Sequence, residues 1–419
     1  MANNTNYLKI KSISHSISNK DCRIRIDFNF SNELNPYFKV NYFEYTIENA
    51  GVIKKIADEI AVIPFICNIL PLIWLLDADL FIPKLDKAFF NSIPSIKTGY
   101  SNMYPELCFK GKIIVTELME RKRTYSNKNA LLFSGGIDAW CSLLRHEDED
   151  IDLITLHGSL DFPLGNNSSW QIQKSILQNG ADVMGKKLLI ISTNFTEILD
   201  LWGEPLKKLI SVKRNLSWWH DMQHGVGIIG HAAVLSDLYN YNTVYIASSY
   251  HISQKNITCA SDPTIDNNVK FLYSRVFHDG YELTRQQKTK YICDKLKGRK
   301  IEIHVCLMPN QKHNCCRCEK CLRTIFSIYA EGGNPHDLGF SYSDNDMSSM
   351  LNYLKRHVYL HEYNTVFWKD IQQRIIQNKD KLNNKLINNY FTKDFNINNH
   401  NKLWIKKIIR IIERIRKCL

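Results

Sequence analysis

Two stretches of this 419-residue chain gather residue types that do chemistry. The first is "NALLFSGGIDAWCSLLRH", residues 129–146. An apolar run ends in Ser134-Gly135-Gly136-Ile137-Asp138, and helical spacing begins at once. A strand that ends where a helix begins exposes backbone N–H groups, and the helix dipole adds to their pull on an anion. Glycines let that backbone come close to a ligand. Ser134 adds a hydroxyl donor, and Phe133 and Ile137 complete the turn. Asp138 either caps the helix or holds a magnesium ion. The chemistry such a turn suits is phosphate binding, although neither G-x-x-x-x-G-K-[ST] nor G-x-G-x-x-G is present here.

The second stretch is "VCLMPNQKHNCCRCEKCLRT". Cys306, Cys315, Cys318 and Cys321 give C-x8-C-x2-C-x2-C, a spacing whose thiolates can close a tetrahedral zinc site. Cys316 could stand in for Cys315, and His304 and His313 are near, so the fourth ligand stays open. Four protein ligands mean a closed, structural site. Twelve cysteines without a secretory pattern at "MANNTNYLKIK" point to a reducing, cytoplasmic compartment and a metal, not to a disulfide framework.

The elements that must position these residues alternate. "ALLF" (130–133), "IDLITLHGS" (151–159), "KKLLIISTNF" (186–195), "TVYIASSY" (243–250) and "RKIEIHVC" (299–306) read as strands, with helical patterns between them. That rhythm predicts an α/β fold with a parallel sheet, whose ligands sit at the carboxyl ends of strands. Upstream, "DCRIRIDFNF" alternates as a strand and "FKVNYFEYTI" pairs with it. "IAVIPFICNILPLIWLL" (60–76) is too short and too broken by proline for a membrane span, so a buried helix or two pieces is expected. The polar run "ERKRTYSNKN" (120–129) marks a boundary. Three regions follow: an N-terminal α+β region (1–125), the phosphate-binding and cysteine-bearing domain (126–335), and a basic helical tail (336–419).

Strand–SGGxD–helix resembles the PP-loop of the ATP pyrophosphatases, whose fingerprint is SGGxDS. Ser134, Gly135, Gly136 and Asp138 match it, and Ala139 replaces the final Ser. The four-cysteine spacing downstream is similar to that of the 7-cyano-7-deazaguanine synthase family, which usually has Gly where Cys316 stands and a basic residue where Arg323 stands. "ELTRQQK" resembles that family's "LTKAE", with Arg285 in place of Lys and Gln287 in place of Glu. The resemblance covers about residues 128–325. It implies an adenine-nucleotide α-hydrolase-like (HUP) PP-loop domain and an ATP-dependent ligase. Such enzymes adenylate a carboxylate or amide, release pyrophosphate and hand the acyl group to ammonia or an amine. It also implies ATP and Mg²⁺ as cofactors beside structural Zn²⁺. Relatives occur in bacterial antiviral gene clusters and surface-polysaccharide loci, so a partner protein encoded nearby is expected.

Substrate recognition is expected after the fourth strand, from Ser261, Asp262 and Asp266, with His278 and Arg323. Asp262 could instead cap a turn before Pro263. Arg285 and Lys288, one helical turn apart, either neutralise the departing pyrophosphate or form a solvated face. His157, at the end of the second strand, is a cofactor contact or a core histidine. Of the net charge of +12, +10 lies in residues 351–419. There "KLWIKKIIRIIERIRKCL" (402–419) segregates apolar from basic residues. Such a helix suits an anionic membrane surface, nucleic acid, a partner, or packing on its own domain. The alternatives to a ligase are therefore a nucleic-acid-binding or tRNA-modifying protein and a non-catalytic scaffold.

Overall fold

The computed structural model describes residues 6–18, 20–49, 56–121, 126–165, 167–211, 216–306, 308, 313–360 and 362–397. The basic stretch 402–419 lies outside them. The chain divides into two units. The first is Met1–Ser134, Arg145–Trp170 and Ala181–Tyr281; the second is Gly135–Leu144, Gln171–Gly180 and Glu282–Leu419.

The first unit is built on one eleven-stranded sheet. Its strands are β1 (Tyr7–Ile17), β2 (Cys22–Phe30), β3 (Tyr42–Ile47), β4 (Asp79–Asp86), β5 (Lys112–Met119), β6 (Asn129–Leu132), β7 (Ile151–His157), β8 (Leu188–Thr193), β9 (Thr243–Ala247), β10 (Lys270–Phe271) and β11 (Ser274–Asp279). Across the sheet they run β10-β11-β9-β6-β7-β8-β3-β2-β1-β4-β5. The run β11-β9-β6-β7-β8 is parallel throughout. Read in chain order from β8 it is third, second, first, fourth, fifth, the order of a Rossmann-like sheet, with the switch point between β6 and β9. β6 and β7 are buried at every residue. Strands buried on both faces are what the centre of a parallel sheet requires, and these two also bury Asn129, Asp152, Thr155 and His157.

β3 joins the far side of β8 antiparallel, and β2 and β1 continue the meander. The alternation of "DCRIRIDFNF" was legible because only its even face is buried: Cys22, Ile24, Ile26 and Phe28 point into the core. β4 and β5 then add in parallel to β1. The polar stretch 120–129 thus falls between β5 and β6 of the same sheet.

One expected strand is absent. The segment 301–306 does not join the sheet: the N–H groups of Ile301 and Ile303 bond the carbonyls of Asp337 and Leu338, each at 3.1 Å. Its Ile301, Ile303 and Val305 are buried, and that alternation imitates a strand. The fifth parallel strand is instead β11, which carries His278.

The apolar segment forms two helices, Asp58–Ala61 and Ile63–Leu75. The second is buried on every side. Its one polar side chain, Asn68, donates to the carbonyls of Pro64 (2.8 Å) and Gly227 (3.1 Å) and accepts from Gln223 Nε2 (2.7 Å). Gly227 permits the approach, since a Cβ there would lie 2.6 Å from Asn68 Oδ1. Among the described residues no helix is long and apolar enough to cross a membrane.

Asn68 is fully buried, and its amide satisfies three polar groups at once. Asn68→Ala is expected to lower stability by about 2–4 kcal/mol, through lost hydrogen bonds and a cavity. Chemical denaturation of the full chain checks it, and a loss under about 0.5 kcal/mol would show that water takes the amide's place.

Candidate functional site

The site residues of the second unit start at the glycine turn. β6 ends at Leu132, and the helix Ile137–Arg145 begins five residues later. Gly135 has φ +76°, a left-handed conformation, and a Cβ on it would lie 2.7 Å from Leu177 Cδ2. The positive φ is what favours glycine here, and a Cβ would also press on the end of the Leu177 side chain. The Gly135 carbonyl accepts from the His304 N–H at 3.1 Å. Among the described residues, the N–H groups of Ser134, Gly135 and Gly136 have no hydrogen-bond partner. Ser134 is exposed, whereas Phe133 and Ile137 are buried.

The helix Arg285–Lys295 opens with a capping box. Gln287 N–H donates to Thr284 Oγ1 (3.2 Å), and Thr284 N–H donates to Gln287 Oε1 (2.8 Å). The box fixes the first turn, where Arg285 and Lys288 stand one turn apart. Cations here oppose the helix dipole, so another charge must hold them. That charge is Asp138. Arg285 Nη1 lies 2.7 Å from its Oδ2, and Lys288 Nζ lies 3.4 Å from its Oδ1. Lys288 is only 1% exposed. Burial works to raise the Asp138 carboxyl, but the charges of Arg285 and Lys288, with Arg323 behind them, bring it below its ordinary value of 3.8. Both Asp138 oxygens thus face cations and do not fit a magnesium ligand. The carboxylate is a holder of positive charge.

Arg323 belongs to the same set. It lies buried in the helix Glu319–Ala330, its Nε 3.5 Å from Glu319. Its guanidinium stands 4.7 Å over the Phe367 ring, and that of Arg285 stands 5.6 Å from the same ring. Phe367 is a shelf for two cations. Nothing in its sequence context marked it, because one Phe in a helical stretch reads as core.

The cysteine cluster resolves the open ligand set. The sulfurs of Cys306, Cys315, Cys318 and Cys321 all lie within 4.8 Å of one another, with Cys315 and Cys321 at 3.9 Å. Tetrahedral zinc with Zn–S of about 2.3 Å places sulfurs about 3.8 Å apart, so four thiolates in this arrangement fit structural zinc. The neighbouring thiols of Cys306, Cys318 and Cys321 bring the Cys315 thiol below its usual range, and Cys318 N–H donates to its sulfur at 3.3 Å. Cys316 and His313 stand outside the group. Cys316 Sγ reaches the Asn314 carbonyl (3.5 Å), and His313 Nδ1 pairs with Glu302 (2.8 Å). Cys316 has φ +53°, the left-handed region that favours glycine. Asn314, which the sequence reading passed over, ties the loop down. Its side chain accepts from Val305 N–H (3.0 Å) and donates to Ile303 O (2.7 Å).

The remaining expected residues lie in the first unit. Ser261, Asp266 and His278 come together: Asp266 Oδ2 accepts from Ser261 Oγ at 2.9 Å and contacts His278 Nδ1 at 2.8 Å. All three are buried, and burial pushes the Asp266 carboxyl up. Asp262 is not part of that group. It caps the short helix Pro263–Asp266 by accepting from Thr264 N–H, as the turn reading allowed. His157 ends β7 with its Nδ1 3.1 Å from Ser192 Oγ and its ring stacked on Trp170 at 4.4 Å.

Cys318→Ser should abolish the stoichiometric zinc measured by elemental analysis, while Cys316→Ser keeps it; loss of zinc from both would remove the four-ligand assignment. For Asp138, a depressed folded-state pKa means that its pairing stabilises above the ordinary carboxylate value and is lost as pH falls through the folded one. Asp138→Asn should therefore be less stable than the parent near neutral pH, and the gap in urea midpoints should close on acidification. A gap that does not change with pH would deny the charge pairing. Comparison with protein families, with curated proteins and with solved structures gives no match for this chain.

Proposed function

We propose that this chain is an ATP-dependent, adenylating ligase of the PP-loop type, related to the 7-cyano-7-deazaguanine synthases. One observation carries the reading. A glycine turn with unengaged N–H groups follows the first strand of a parallel sheet in Rossmann order, and Asp138 of that turn holds Arg285 and Lys288. Free backbone donors, a helix N-terminus and two cations are what a polyphosphate needs. The cysteine loop supports the same reading. Its four sulfurs are placed for zinc, and the residue where the resembled family has glycine adopts the glycine conformation.

In this mechanism a substrate carboxylate oxygen attacks the α-phosphorus of ATP. The bond from that phosphorus to the bridging oxygen breaks, and pyrophosphate leaves with the electron pair. The N–H groups of the turn, Arg285 and Lys288 meet the charge that develops on the leaving group. Asp138 keeps both cations in place before ATP arrives, so little reorganisation is left for the reaction. Mg²⁺ accompanying ATP would offset part of the phosphate charge. An amine nitrogen then attacks the acyl carbon, AMP leaves, and the nitrogen gives a proton to solvent. Within the second unit, Arg323 remains a candidate for the acceptor, a small molecule or a protein. Antiviral defence is one setting for such chemistry.

Isothermal titration with Mg·ATP and ATP–pyrophosphate exchange test the proposal. The parent chain should bind ATP, and Lys288→Met should slow exchange by about 10²-fold while zinc content is kept. A zinc-loaded chain that ignores ATP would leave the scaffold reading standing in its place.

A further inference from the structure

The helix Asn167–Val183 carries a glutamine whose placement the fold alone does not explain. Gln173 is 1% exposed, and among the described residues neither its Nε2 nor its Oε1 has a hydrogen-bond partner. A buried carboxamide with both ends unengaged is costly, and a methionine or leucine would fill the same volume without that cost. Such a group calls for a reason beyond packing.

Its position suggests the reason. Gln173 and Leu177 are one turn apart on the same helix face. That face packs against the glycine turn: a Cβ built on Gly135 would lie 2.7 Å from Leu177 Cδ2 and 3.5 Å from Gln173 Nε2. Leu177 is the packing contact. Gln173 brings an unengaged donor and an unengaged acceptor beside a backbone whose Gly135 and Gly136 N–H groups are also unengaged. All of these groups belong to the second unit. Two separate observations, orphaned backbone donors and an orphaned side-chain amide, therefore converge on one spot.

We infer that Gln173 is a ligand-binding residue of the phosphate site, its Nε2 donating to a phosphoryl oxygen of the nucleotide and its Oε1 accepting from a water carried with that phosphate. This rests on the ATP reading and extends it to a residue outside the turn. The amide adds a directional donor without adding charge to a site already served by Arg285 and Lys288. It fixes where the polyphosphate lies and adds little to how strongly it is attracted from a distance.

The test uses the zinc-loaded full chain, with Gln173→Met to keep the shape and Gln173→Glu to exchange the donor for a charged acceptor. Thermal melting without nucleotide and titration with Mg·ATP are measured on each. Gln173→Met is expected to melt no lower than the parent, because it removes an unpaired buried amide, and to bind Mg·ATP about tenfold more weakly. Gln173→Glu should bind more weakly still. An affinity for Gln173→Met equal to the parent's overturns the inference and leaves the ATP reading intact. A clear drop in its melting temperature overturns it as well, since the amide would then be serving the fold. A parent chain that gives no heat with Mg·ATP overturns both.

Discussion

A single carboxylate shared by two cations sets the arrangement of the second unit. Lys288 is buried at the start of a helix, where the dipole opposes a positive charge. Removed from water, an ammonium needs a partner within contact distance. Asp138 supplies it, and it accepts from Arg285 with its other oxygen. Asp138 is the second residue of the helix that the glycine turn starts. Holding the cations therefore also fixes the turn, so the electrostatics of the pair and the position of the free N–H groups are one constraint. The capping box of Thr284 and Gln287 serves it too, since without a fixed first turn the two cations would not project together.

The cysteine cluster reaches the same turn through the backbone. His304 donates its N–H to the Gly135 carbonyl, and Cys306 is two residues further on. A metal held by Cys306, Cys315, Cys318 and Cys321 contributes its binding free energy to the fold of the loop that carries them. Part of that energy would then help to keep the segment 301–306 against Gly135. Asn314 reinforces it with bonds to Val305 and Ile303. A site described as structural in coordination terms is thus one short segment away from the residues that would do chemistry.

Much of this arrangement is legible in the sequence alone, and what is not depends on burial patterns with more than one source or on contacts far apart in the chain. Local signals survived: the SGGID turn, the C-x2-C pairs, the alternation of β2, the helix that carries Arg285 and Lys288. Each depends on neighbours within a few positions. The segment 301–306 misleads because alternating apolar residues have two sources, a sheet face or a core-lining extended chain, and Ile301, Ile303 and Val305 fit either, while His304 and Cys306 between and after them are buried too. β11 went unseen because its pattern "SRVFHD" ends in buried polar residues, His278 and Asp279, which read as a turn. Asp138 was readable as a cap or a metal ligand. Its actual partners stand 147 and 150 positions away, and no spacing rule spans that distance. The ring of Phe367 beneath two guanidinium groups is a similar long-range fact.

The departures from the SGGxDS fingerprint can be weighed physically. Ala139 is buried. A serine there would place a hydroxyl in an apolar setting and would need an acceptor, which in the fingerprint the bound phosphate supplies. With alanine the fold has no such need, and on the proposed reading a phosphate would find one donor fewer. The donors it would still meet are the backbone N–H groups, the Ser134 hydroxyl and the cations. A charged donor in a desolvated site contributes more than a neutral hydroxyl. If the turn holds phosphate as proposed, alanine at this position would shift the burden of anion binding toward Lys288 and Arg285, and through them onto Asp138. On this argument the carboxylate that holds the cations matters more in this chain than in one that keeps the terminal serine.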